Sequence, residues 1–325
     1  MNCVTCPQLS RTMLENYLRS VDSDWPHALN RLADRIHPVD RYATRIWFSL
    51  YPLLMHELSE ATTDRAAFEL FYQLRGHYRL REAVHTSHRF LYGHRYWAEA
   101  REATLALTPQ DTLCATILLA AGQVKAPEAL AIGITAIALM TLRQAPEALR
   151  ASTAPIEQYA SESPETWLAR RATDAKPGFL ARLSGHPSGP RIVFDEQSPE
   201  GAFRLHPTQD ITMAACEDKR PYHLTDSRCF EDMGPIPVEC RSGSCGTCWI
   251  GVLGGNEQLS AVTPYERKRM EYLGYWDSGF EHATADRPLI RLACQTQASG
   301  SASIVIPHWC GVFGPTRRDR QPGKA

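Results

Sequence analysis

Three cysteines stand close together in the second half of the chain, as Cys240, Cys245 and Cys248. They lie in the run Cys-Arg-Ser-Gly-Ser-Cys-Gly-Thr-Cys, whose other residues are mostly small. Thiolates are soft ligands, which suit zinc and iron–sulfur clusters rather than calcium or magnesium. Glycine allows backbone conformations that a Cβ would forbid, so a loop of this composition can wrap closely around a metal centre. A zinc ion bound here would have a structural role, whereas an iron–sulfur cluster would transfer single electrons.

Two cysteines further along the chain could supply a fourth ligand. Cys294 ends the apolar run that begins at Pro288, and Cys310 follows the strand-like stretch 302–306. A structural zinc site usually shows two Cys-x2-Cys units, whereas this stretch has only one, so the spacing favours a cluster and leaves zinc as the alternative. A disulfide framework is not expected, because the sequence has no feature of a secreted protein.

The cysteine loop and the later motif Leu-Ala-Cys-Gln resemble the cluster-binding segments of plant-type and bacterial [2Fe–2S] ferredoxins. The resemblance covers roughly residues 190–315. It implies a β-grasp fold and one [2Fe–2S] cluster bound by Cys240, Cys245, Cys248 and Cys294, since the fourth cysteine of that family precedes the closing strand. It also implies a low reduction potential, about −400 mV.

Local patterns predict the elements around this loop. Asp210 is a suitable N-cap for a short helix. Thr263 and Glu266 have the spacing of a capping box with Pro264 at the first helical position, and Gly274 is a suitable stop, so a helix is expected inside the long insert between Cys248 and Cys294. Strands are expected at 191–194, 202–205, 249–253 and 302–306.

The first half of the chain has the apolar spacing of helices, interrupted by prolines. We expect about six helices in a bundle over residues 1–150. Residues 151–189 are rich in Pro, Ser, Ala and Gly and are interpreted as a linker, and residues 190–325 form the ferredoxin domain. The predicted fold class is therefore α+β, with an all-α domain followed by a β-grasp domain. The longest apolar run, 129–142, is too short for a membrane span and typical of a buried helix.

A second metal site in the helical half is not favoured. Glu82 and His85 form a Glu-x-x-His unit with His88 nearby, but a di-iron bundle needs two such units, and only one is found there. The Arg-rich, aromatic segment 71–97 instead has the composition of a partner surface. Cys3 and Cys6 could be a redox pair or half of a shared metal site, but we interpret them as disordered thiols.

Charge and composition exclude several classes of function. The formal net charge of −1 gives no general case for binding nucleic acid or an anionic membrane. Ten cysteines without a recognisable signal peptide indicate a reducing compartment, and we expect a cytoplasmic protein. The sequence has neither a Gly-rich dinucleotide fingerprint nor a P-loop, so a flavin, nicotinamide or substrate site is expected on a partner.

These observations predict an electron-transfer subunit of a larger oxidoreductase rather than a stand-alone enzyme. The expected partner is a flavoprotein or a metalloenzyme, held in a stable complex because the near-neutral ferredoxin region offers little long-range steering. The alternative is a redox sensor, in which the state of the cluster regulates a partner through the helical domain. A third interpretation makes the helical half an enzyme supplied with electrons by its own ferredoxin.

Overall fold

The computed structural model describes residues 13–14, 16–21, 24–50, 87–144, 146–151, 162–174, 189–206, 208–226, 229–273 and 286–307. The chain divides into two compact units. The first consists of 1–63, 79–159 and 279–281, and the second of 64–78, 160–278 and 282–325. The described helices and the sheet together give the mixed content of the predicted α+β class.

The described residues of the first unit form helices α1 to α6, two short 3-10 turns and a helical stretch at 16–20. Proline occupies the first or second position of α1 and begins α2, where its missing N–H costs no hydrogen bond. The predicted helical character is confirmed for the described residues of this unit. The helices are α1 (Trp25–Leu32), α2 (Pro38–Leu50), α3 (Trp97–Leu105), α4 (Leu113–Ala121), α5 (Glu128–Gln144) and α6 (Pro146–Ala151), and the 3-10 turns are Ser87–Phe90 and Tyr92–Tyr96.

Helix α5 forms the core of the first unit. It packs against α2, α3, α4 and α6, and its residues from Leu130 to Leu142 are almost all fully buried. This confirms the buried helix predicted from the apolar run. Among the described residues, no helix is both long and apolar enough to cross a membrane.

A buried carboxylate ties α2 to the 3-10 turn that precedes α3. Asp40 is fully buried, and its two oxygens accept hydrogen bonds from the amides of Tyr92 and Gly93, both at 2.7 Å. A Cβ on Gly93 would lie 2.8 Å from a carboxylate oxygen of Asp40, so glycine permits this close approach.

The second unit is built on a five-stranded mixed sheet with the order β2-β1-β5-β3-β4. Strand β1 (Arg191–Val193) pairs antiparallel with β2 (Ala202–Arg204) and parallel with β5 (Ala302–Val305). Strand β3 (Trp249–Gly254) pairs antiparallel with β5 and with β4 (Ile290–Leu292). The predicted strands are thereby confirmed, and the core contains Ile192, Phe203, Ile211, Trp249, Ile250, Val252, Leu292 and Ile304.

Two helices flank the sheet. Helix α7 (Pro164–Asp174) lies inside the stretch interpreted as a linker, yet it packs against β5. Its Arg171 forms two hydrogen bonds with Glu196, at 2.6 and 2.7 Å, and both side chains are largely buried. Helix α8 (Ile211–Glu217) follows Asp210, whose carboxylate accepts the Met213 amide at 2.8 Å as the predicted N-cap.

Helix α9 (Pro264–Leu273) is the helix predicted in the insert. Thr263 caps it by accepting the Glu266 amide at 3.0 Å. The second half of the predicted capping box is wrong: the Glu266 carboxylate does not turn back to the helix start but bonds Arg291 of β4. A buried guanidinium is a stronger partner for a carboxylate than a terminal amide that water can solvate. The predicted stop, Gly274, lies outside the described residues.

Candidate functional site

The loop from Cys240 to Cys248 leads directly into β3 and is shaped by backbone angles that favour glycine. Gly243 and Gly246 have φ of 74° and 78°, and Arg241 also has a positive φ, 53°. A Cβ on Gly243 would lie 3.1 Å from the side chain of Gln295. The positive φ therefore favours glycine at both positions, and close packing adds to this requirement at Gly243.

Backbone amides of this loop point at its sulfur atoms. Cys240 Sγ accepts hydrogen bonds from the amides of Ser242 at 3.5 Å and Cys245 at 3.4 Å. Cys245 Sγ accepts the amide of Thr247 at 3.4 Å. Donors arranged in this way stabilise negative charge on sulfur.

The fourth thiol reaches the loop through the pairing of β3 with β4. Trp249 lies opposite Leu292, and the Ala293 amide donates to the Cys248 carbonyl at 3.0 Å, so the turn after β4 returns to the end of the loop. Cys294 and Cys248 lie beside each other and each shifts the pKa of the other thiol, while the Gly243 amide lowers the pKa of Cys294.

The four predicted residues thus come together as two pairs. Cys240 and Cys245 are partly exposed, whereas Cys248 and Cys294 are buried. The two pairs also interact electrostatically: Cys245 acts on Cys248, and Cys240 acts on Cys294. Within the described part of the chain, no group of three or more His, Cys, Asp or Glu side chains has the arrangement of a site for a metal ion.

Each pair contains one thiol whose ionised form is favoured. Burial raises the pKa of Cys240, but the hydrogen bonds from Ser244 and Ser242 outweigh this effect and lower the pKa to about 6. The interaction with the Cys248 thiol lowers the pKa of Cys294, against the effect of burial. Two effects raise the pKa of Cys248 well above its ordinary value. The larger is its interaction with the Cys294 thiol, and the smaller is burial. Burial raises the pKa of Cys245.

Helix α9 holds the outer side of the loop. The Tyr265 hydroxyl donates to the Ser242 carbonyl at 2.9 Å. The Arg269 guanidinium donates to the carbonyls of Gly243, at 3.4 Å, and Ser244. Sequence reasoning missed both residues, although their spacing of four places them on one face of a helix.

One more contact residue was missed by sequence reasoning. The Gln295 amide nitrogen lies 3.5 Å from Cys294 Sγ and can donate to it. The only signal in the sequence was its position directly after the cysteine in the Leu-Ala-Cys-Gln motif.

No protein-family model matches this chain, and no solved structure matches it significantly. The function is therefore inferred only from the site: the four thiols, their amide donors and the two side chains from α9.

Five other positions considered in the sequence lie outside the described residues: Cys3, Cys6, Glu82, His85 and Cys310.

His88 of the first unit is buried, and its ring stacks on Trp97 with centroids 3.7 Å apart. The His94 ring lies 4.6 Å from it. These contacts are those of a packed aromatic cluster.

Proposed function

We propose that this chain binds one [2Fe–2S] cluster and passes single electrons to a protein redox partner. The observation that carries the proposal is the convergence of Cys240, Cys245, Cys248 and Cys294, with backbone amides directed at the sulfur atoms of the first two. A [2Fe–2S] cluster requires four such ligands, two for each iron, and would supply the one-electron chemistry when bound. The two thiol pairs supply that number.

The side chains and amides present fit such a group. The low pKa values of Cys240 and Cys294 favour the thiolate form that binds iron. The positive φ of Gly243 and Gly246 lets the loop amides face inward instead of pairing with other backbone groups. These amides would offset negative charge on the ligands without carrying a formal charge themselves.

The sheet supports the finer proposal of a β-grasp ferredoxin domain. The hairpin β1–β2, the helix α8 that packs against β2 and against the Cys294 turn, and a last strand parallel to β1 are components of that fold. Helix α7 would belong to this domain as well, through Arg171 and Glu196.

The exposure of the thiols suggests where electrons enter and leave. Cys240 and Cys245 are partly exposed, so the loop side approaches a partner most closely, while the buried pair lies behind it. The helical unit would hold the partner, a flavoprotein or a metalloenzyme. The free thiols found throughout the described residues suit a reducing compartment such as the cytoplasm.

The experiment is metal and sulfide analysis of the purified full chain, with electron spin resonance after reduction by dithionite. We expect about two irons and two labile sulfides per chain. Stoichiometric zinc without labile sulfide would contradict the proposal.

The identity of the partner is tested by purifying the complex from the native source. A stoichiometric flavoprotein or metalloenzyme that accepts electrons from the reduced chain supports electron transfer. A regulatory protein whose binding depends on the state of the cluster would overturn it in favour of sensing.

A further inference from the structure

Two peptide groups of the cysteine loop connect α9 to the thiols. All described peptide bonds are trans, so the C=O and N–H of each peptide point in opposite directions. In the peptide between residues 242 and 243, the carbonyl accepts the Tyr265 hydroxyl at 2.9 Å. The adjoining Gly243 packs against Gln295, whose side-chain nitrogen lies 3.5 Å from Cys294 Sγ. The peptide therefore lies between a helix side chain and the immediate surroundings of a buried thiol.

The peptide between residues 244 and 245 connects α9 to a thiol directly. Its carbonyl accepts the Arg269 guanidinium, and its amide donates to Cys240 Sγ at 3.4 Å. Arg269 also bonds the Gly243 carbonyl, at 3.4 Å, and lies over the ring of Tyr272, 4.8 Å from its centroid. The guanidinium is thus held between the loop carbonyls and the Tyr272 ring.

We propose that Tyr265 and Arg269 are positioning residues that raise the reduction potential of the cluster through these two peptides. The inference rests on the proposed function and adds a role for the insert helix. A carbonyl that accepts a hydrogen bond polarises its peptide and strengthens the N–H donor on the other side. Stronger donors to the sulfur ligands favour the reduced state, which carries one more negative charge.

Arg269 contributes a second effect through its charge. A guanidinium is always protonated, and a positive charge close to a partly buried centre stabilises the added electron. Tyr265 is neutral, so it can act only through the orientation and polarisation of its peptide. Substituting the two residues one at a time therefore distinguishes the effect of peptide polarisation from the effect of charge.

The test is a redox titration of the full chain with electron spin resonance of the reduced state. Arg269→Gln should favour the oxidised state by about tenfold, which is 59 mV for a one-electron couple. Tyr265→Phe should shift the potential in the same direction by less. Arg269→Lys keeps the charge but loses the planar fork, so it should recover part of the loss.

A matched control lies on the same helix. Arg267→Gln removes the same charge from a side chain that faces Asp286 at 4.0 Å. This variant should keep a potential and g-values close to those of the original chain. In Arg269→Gln and Tyr265→Phe the g-values should change, because the donors to sulfur change.

The possible results are distinct. Equal shifts for Arg269→Gln and Arg267→Gln, together with an unchanged potential in Tyr265→Phe, would overturn the inference. If Arg269→Gln cannot retain the cluster, Tyr265→Phe decides: a potential below that of the original chain supports the inference, and an unchanged potential overturns it. An original chain without iron and labile sulfide would instead refute the proposed function.

Discussion

Glu266 of α9 and Arg291 of β4 form a fully buried ion pair. Arg291 Nε and one terminal nitrogen donate to the two carboxylate oxygens at 2.9 and 2.8 Å. The Leu292 amide donates to the same carboxylate at 3.0 Å, and Arg291 also donates to the Ser260 carbonyl at 2.7 Å. This pair attaches the helix that holds the cysteine loop to the strand that leads to Cys294.

Removing one member of this pair should be strongly destabilising. Glu266→Gln leaves the guanidinium buried without its counter-charge, and we expect the free energy of unfolding to fall by about 3–5 kcal/mol. Urea denaturation measures the change. The matched control is Glu271→Gln on the exposed face of the same helix, which should cost no more than about 0.5 kcal/mol.

A double substitution tests the cause of that loss. Replacing both residues with apolar side chains, as in Glu266→Leu with Arg291→Met, removes the unpaired charge and should recover much of the stability. If the double variant loses as much free energy of unfolding as the two single variants lose together, the cost of the single variants does not come from an unpaired charge.

Cys294 should be needed for cluster binding. It lies beside Cys248, so Cys294→Ala removes one of the four proposed ligands and should abolish the cluster or leave it very unstable. Iron and labile sulfide analysis measures the loss. Cys216→Ala and Cys310→Ala should each keep a normal spin resonance signal on reduction, and loss of the cluster in Cys310→Ala instead would move the fourth ligand.

Asp218 should make stability depend on pH. Burial raises the pKa of its carboxyl, but hydrogen bonds from Arg220 and Tyr222 outweigh this and leave the pKa below the ordinary 3.8. A carboxyl whose pKa is lower in the folded state stabilises the fold above its unfolded pKa, and this contribution is lost as the pH falls through the folded pKa.

Asp218→Asn removes this contribution. The variant should be less stable than the original chain near neutral pH, and the difference should shrink towards about pH 3. Urea denaturation at both pH values measures it. Asp286→Asn, on an exposed side chain 4.0 Å from Arg267, is the control and should show little difference at either pH.

The boundary of the second unit should lie before α7. A chain that begins at Ala160 keeps Arg171, whereas one that begins at Gly189 leaves Glu196 without its guanidinium partner. We expect the shorter chain to be less stable by about 3 kcal/mol in urea denaturation. Arg171→Leu in the full chain should reproduce this loss, and equal stability of the two truncated chains would contradict it.

Local sequence determined the features that depend on neighbouring residues. The glycines of the loop, the Asp210 cap and the positions of β1, β2, β3 and β5 could all be predicted, because each depends mainly on residues close together in the sequence. The buried helix α5 could also be predicted, since a long apolar run has few other stable environments.

Only the tertiary structure decided which distant residues meet. The β3–β4 register brings Cys294 to Cys248, and the position of α9 brings Tyr265 and Arg269 to the loop carbonyls. Glu266 has the spacing of a capping box, yet it pairs with Arg291, because a buried guanidinium must be neutralised by whichever carboxylate the fold places beside it. Such pairings join residues that are far apart in sequence, so no local pattern encodes them.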